Sequence, residues 1–165
     1  MEPGIGLTKL VHVAIAFTLI AGVIGRDLLF ERARVASDVR SVATLVEAGK
    51  LFDRALVIPS SGLIAVSGVL SIWMERLPLF GFLQGAHGNW LLASTVFYVA
   101  VMAIIGVVFI PRRKALDREL ALALEANRIT TALAAAVSDR AFRWARGAEL
   151  TLLAAIVVLM VLRPF

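Results

Sequence analysis

Four long apolar stretches alternate with polar connectors along this chain. The first runs from Ile5 to Gly25, with ionisable side chains only at Lys9 and His12. Ala55 to Met74 and Gly88 to Ile110 carry no charge. The last runs from Gly147 to Leu162, with Glu149 near its start and Arg163 at its end. An α-helix rises 1.5 Å per residue, so about 20 apolar residues cross the ~30 Å hydrocarbon core of a bilayer. The pattern predicts four transmembrane helices, at about residues 5–25, 55–74, 88–110 and 145–163. The fourth run is short by itself. A helical pattern beginning after Ser138 lengthens it, with Ser138 as N-cap and Asp139 favourable in the first turn.

The connectors read as helical. Leu116 to Leu124 spells LDRELALAL, and residues of this type are strong helix formers. In the first connector Asp38 can cap a short helix that Gly49 ends. Pro59 kinks or starts the second membrane helix, and Pro111 starts the second connector or bends it away from the third helix. The expected fold is all-α, a four-transmembrane-helix bundle with helical cytoplasmic connectors, forming one integral membrane domain over residues 1–165. The first run has no basic segment before it and is followed by Arg26, so it reads as a retained helix and not a cleaved signal.

Charge orients this bundle. Arg26 to Arg54 holds six Lys/Arg, and Pro111 to Arg146 holds eight, whereas Glu75 to His87 holds one. Lys/Arg-rich loops stay in the cytoplasm, so the short connector and both termini fall outside. Trp73 and Trp90 then sit at the outer interface and Trp144 at the inner one, depths that amphipathic rings prefer. Hydrophobic residues make up 60% of the chain and the mean hydropathy is +0.89, more than a water-facing exterior tolerates. The net charge of +5 therefore reads as orientation and attraction to anionic lipid, and nucleic acid is not expected as a partner. The chain has no cysteine, which removes disulfides, thiolate metal sites and cysteine nucleophiles. No catalytic carboxylate pair, nucleophile elbow, phosphate loop or metal-ligand spacing is visible, so no enzymatic activity and no metal site are expected.

Candidate chemistry centres on His12. An ionisable group inside a membrane helix is costly and points to function. Neutral imidazole can ligate haem b, bond a quinone, or carry a proton. Lys9, one turn nearer the terminus, could hold a propionate or another anion. The plainer alternative is a hydrogen bond from His12 to a neighbouring helix backbone or to Tyr98. His87 reads as interfacial, and roughly 10 Å of depth separates it from His12, which disfavours a shared haem. Glu149 is expected to pair with Arg146 on its own helix, with a proton or ion site as the alternative. Ala14, Thr18 and Gly22 form one small-residue stripe, and Ser61, Ala65 and Gly68 a second; such faces admit close helix packing. Ser60, Ser67 and Ser71 read as packing residues. The loop residues Pro78, Leu79, Phe80, Phe82 and Leu83 are apolar enough to lie in the interface or to touch a partner.

The segments TKLVHVAIAFTLIAG, FDRALVIPSSGLIAVSG, NWLLASTVFYV and LMVLRP, in this order, resemble a family of small bacterial predicted integral membrane proteins grouped as a domain of unknown function. The resemblance covers nearly the whole chain and implies fold and topology. A looser similarity, carried by KLVH and Gly22, runs to the haem-binding protoporphyrinogen oxidase and copper-resistance-D types. The oxidase pattern has a functional lysine in a later membrane helix; the second to fourth helices here have none, so only His12 transfers as a candidate ligand. The expectation is a non-enzymatic subunit or scaffold of the bacterial plasma membrane, packing against itself or a larger complex. The alternative is a haem- or quinone-associated redox protein using His12.

Overall fold

The computed structural model describes residues 3–84 and 89–163. Its helices are α1 (Pro3–Arg34), α2 (Val39–Phe52), α3 (Ile58–Glu75), α4 (Trp90–Ile104), α5 (Ile110–Glu125), α6 (Thr131–Val137) and α7 (Arg140–Leu162). Four helical rods among the described residues, Gly6–Arg34, Val39–Glu75, Trp90–Glu125 and Thr131–Leu162, are long and apolar enough to cross a membrane, the last interrupted at Ser138 and Asp139. Each rod carries the larger part of one predicted span and extends well beyond it at the connector end; Gly88, the first residue of the third span, lies outside the described residues. His87 lies outside the described residues.

α2 runs into α3, and α4 into α5, without a break. Single π-helical turns, Asp53–Val57 and Ile105–Phe109, join them. The cause lies in the sequence. Pro59 and Pro111 lack an N–H, and their rings would strike the carbonyl four residues earlier. The widened turn answers this. The N–H of Ile58 donates to Asp53 O and that of Ile110 to Ile105 O, each five residues back. Both prolines therefore act inside continuous rods, where the sequence allowed starts or kinks.

The connector ends form their own core. Phe30 and Ala33 of α1, Val42 and Val46 of α2, Leu116 and Leu120 of α5, and Leu133 of α6 are buried together. Asp38 caps α2, accepting from the Ser41 backbone N–H at 2.8 Å. Gly49 does not end that helix. It is buried where the Phe30 ring crosses, and a Cβ there would stand 3.2 Å from the ring, so this glycine serves close approach and not termination. The cap of the last membrane helix also differs from expectation. Asp139, not Ser138, takes the N-cap position, accepting from Ala141 and Phe142, while Ser138 closes α6. One charged oxygen, Oδ1, accepts both orphan N–H groups, while Oδ2 pairs with Arg112.

Along the membrane axis the rods associate as two pairs. α1 packs along α2 and α3, and α4 along α7. Leu19, Val23, Val57 and Leu153 join the pairs at mid-height. Beyond that contact, toward the end that carries both termini, the pairs leave a cleft.

Candidate functional site: the cleft between helix pairs

The cleft has a volume of about 390 Å³, within the usual range for ligand pockets. Its walls are mostly apolar, with Val13, Ile72, Leu91, Ile156 and Met160 among the lining residues. Leu19 and Leu153 close it toward the connector side. Its polar lining is concentrated toward the termini.

His12 stands in this wall. Its Nδ1 lies 2.8 Å from Ser67 Oγ on α3. The Ser67 hydroxyl in turn donates to the Ile64 carbonyl at 3.2 Å. No described residue bonds Nε2 of the ring. This serine-to-carbonyl chain orients the ring, as the second partner of a ligating histidine commonly does. Of the partners considered for His12, neither a backbone group nor Tyr98 is used; Tyr98 donates to the Ser61 carbonyl at 2.7 Å.

Lys9 also lines the cleft, but it pairs with Glu75 at 2.9 Å. An anion would have to compete with that carboxylate. On the other helix pair, Arg163 lies over the Trp90 ring, 4.9 Å from its centroid. Among the small residues, Ala65 and Gly68 line the cleft, and a Cβ on Gly68 would sit 3.4 Å from the His12 ring. Gly22 is a close-approach point, where a Cβ would stand 2.9 Å from Leu56 Cβ. Ala14 and Thr18 face away from the rest of the chain.

A second polar centre lies on the connector side. Arg26 bonds Glu149 at 2.5 Å, Asp53 at 3.4 Å and Asp27 at 2.9 Å, and lies over the Phe109 ring. Arg113 closes on the other oxygen of Asp53 at 2.5 Å. The two π turns thus deliver Asp53 and Phe109 to one guanidinium. Glu149 does not pair with Arg146, which instead reaches Glu31 at 2.7 Å and the Asp27 carbonyl. Residues three apart on one helix are neighbours, but both side chains here turn toward α1, Glu149 to the buried Arg26 and Arg146 to the partly exposed Glu31. Sequence reading missed Arg26 and Asp53 as site residues. The available signal was their position, each a charge beside the end of an apolar run.

No group of three or more His, Cys, Asp or Glu suited to a metal ion occurs among the described residues. A family model described as "Predicted integral membrane protein (DUF2269)" matches residues 6–164. The chain belongs to this family. Comparison with curated proteins and with solved structures finds no match. As a DUF2269 member it is an integral membrane protein in contact with the lipid bilayer, and the family description names no activity.

Proposed function

We propose that this protein is a non-enzymatic membrane subunit that holds a lipid-soluble ring molecule, a quinone or a haem, in the cleft between its helix pairs. One observation carries the reading. The His12–Ser67–Ile64 chain holds an imidazole on a mostly apolar wall, with no described residue bonded to its Nε2. The basic connectors support a bacterial plasma-membrane location with both termini outside, so the cleft opens in the outer half of the bilayer. The test is solvent extraction and absorption spectroscopy of protein purified from native membranes. A co-purifying quinone, or a Soret band, that disappears in His12→Ala is the expected result. Protein that is reproducibly free of both overturns the reading.

The second reading is a scaffold that packs against a second copy or a larger membrane complex. Ala14 and Thr18 favour it, since a four-residue spacing of small side chains faces away from the chain's own helices. Cysteine crosslinking at position 14 in native membranes tests it. A specific crosslinked band supports the scaffold; crosslinks no more frequent than at exposed Val66 oppose it.

A further inference from the structure

The charged groups of the cleft gather at one end. α3 ends there at Glu75, α4 starts there at Trp90, and Arg163 follows the last turn of α7. Lys9, Glu75, Trp90 and Arg163 all line the cleft at that rim. The positions of Lys9 and Leu19 on α1, and of Arg163 and Leu153 on α7, put about 15 Å between the rim and the apolar floor. Most polar groups of the lining are committed. Lys9 and Glu75 satisfy each other, Ser94 and Thr95 donate to carbonyls of their own helix, and Tyr98 donates to Ser61 O. Two donors at the rim are not: the indole N–H of Trp90, and the Arg163 guanidinium that lies over that indole. Neither group can accept a hydrogen bond, and a guanidinium keeps its charge. Among the described lining residues Lys9 and Glu75 cancel, so Arg163 leaves the rim with at least one positive charge in excess.

We propose that the cleft takes an amphiphilic anion. Its carboxylate or phosphate head accepts from Arg163 and Trp90 at the rim, and its apolar body runs toward Leu19 and Leu153. The proposal rests on the ligand-holding reading above and names the head of that ligand. Bonds from a guanidinium to a carboxylate or phosphate are charge-assisted and stronger than neutral ones. A quinone carbonyl can accept from Trp90, but it leaves the excess charge uncompensated at the edge of hydrocarbon, where charge is costly. A haem carries carboxylates and meets the requirement. An amine-headed lipid is opposed by Arg163 and would have to displace Lys9 from Glu75.

The experiment uses the full chain in phosphatidylcholine vesicles at alkaline pH. Trp73 and Trp144, both largely exposed, are replaced by Phe, which leaves Trp90 as the sole emitter of the chain's three tryptophans. The probes are α-bromododecanoate, ω-bromododecanoate and the methyl ester of the first, because bromine quenches an indole that it touches. Affinities are referred to the amount of probe in the lipid. The α-bromo acid is expected to quench Trp90 saturably and to bind about tenfold more tightly than its ester, the scale of one charge-assisted hydrogen bond. The ω-bromo acid should compete with it while quenching less, since its bromine lies near the floor. Arg163→Gln should remove the preference for the acid and keep the affinity of the ester. Arg76→Gln, which removes a charge at the same end of α3 outside the lining, should leave the preference intact. Competition by phosphatidylglycerol, seen only with Arg163 present, supports a bilayer phospholipid as the source of the head; no competition supports a free acid. Equal affinities of acid and ester, a preference that survives Arg163→Gln, or stronger quenching by the ω-bromo acid overturns the proposal while leaving a ligand-holding cleft in place. Absence of saturable quenching by every probe also overturns it, and the extraction experiment then decides whether the cleft reading falls as well.

Discussion

Arg26 and Glu149 stand 123 positions apart in the chain and meet at 2.5 Å in the interior, with side-chain exposures of 2% and 1%. They tie α1 to α7, and so join the two helix pairs on the connector side of the cleft. Two charges withdrawn from water are held there by mutual attraction and by Asp53, Asp27 and the Phe109 ring.

Removing one partner leaves the other charge buried and unpaired. Arg26→Met or Glu149→Leu is expected to destabilise the protein by about 3–5 kcal/mol. The double variant should recover a large part of that loss, because an apolar pair of similar volume avoids the desolvation cost. Thermal unfolding in detergent, run as a double-mutant cycle, checks this. Additive losses would show that the pair is not coupled.

Gly25 lies where α1 crosses Phe52, and a Cβ would stand 2.3 Å from the ring. Gly25→Ala is expected to cost about 1–3 kcal/mol through forced repacking. Gly62, with nothing within 4 Å of its Cβ position, is the control. Gly62→Ala should be neutral or stabilising by up to about 1 kcal/mol. The same unfolding measurement reads both.

The Asp38 carboxyl is held below its ordinary value by hydrogen bonds from the Ser41 hydroxyl and backbone N–H. A depressed acid contributes stability that is present above its unfolded pKa and is lost as pH falls through the folded one. The first turn of α2 should therefore fray on acidification, in the range below the usual aspartate pKa. Hydrogen exchange at the α2 N-terminus against pH reads this, and Asp38→Asn should abolish the pH dependence while keeping a cap.

The basic connectors predict an orientation with both termini outside. A C-terminal reporter that is active only outside the cytoplasm should be active when fused after residue 165, and one inserted near Asn127 should be silent. The reverse pattern would place the cleft in the inner half of the membrane.

Fold class was legible in the sequence because hydrocarbon imposes a length and an apolar composition on anything that crosses it, and each crossing can be read locally. The α2 cap at Asp38 was legible for the same reason, since its partner Ser41 lies within one turn. Gly49 was misread because a helix-ending glycine and a glycine under a crossing ring look alike in one dimension.

By itself, the sequence determined four membrane helices, helical connectors and the singling out of His12, all of which depend on residues within a turn or two of each other. Only the tertiary structure decided that Lys9 belongs to Glu75, that Glu149 belongs to Arg26, and that His12 leans on Ser67 with Nε2 free. Those pairings join separate rods, so they are set by how rods rotate and pack, and a helical period does not specify which face of one rod meets which face of another.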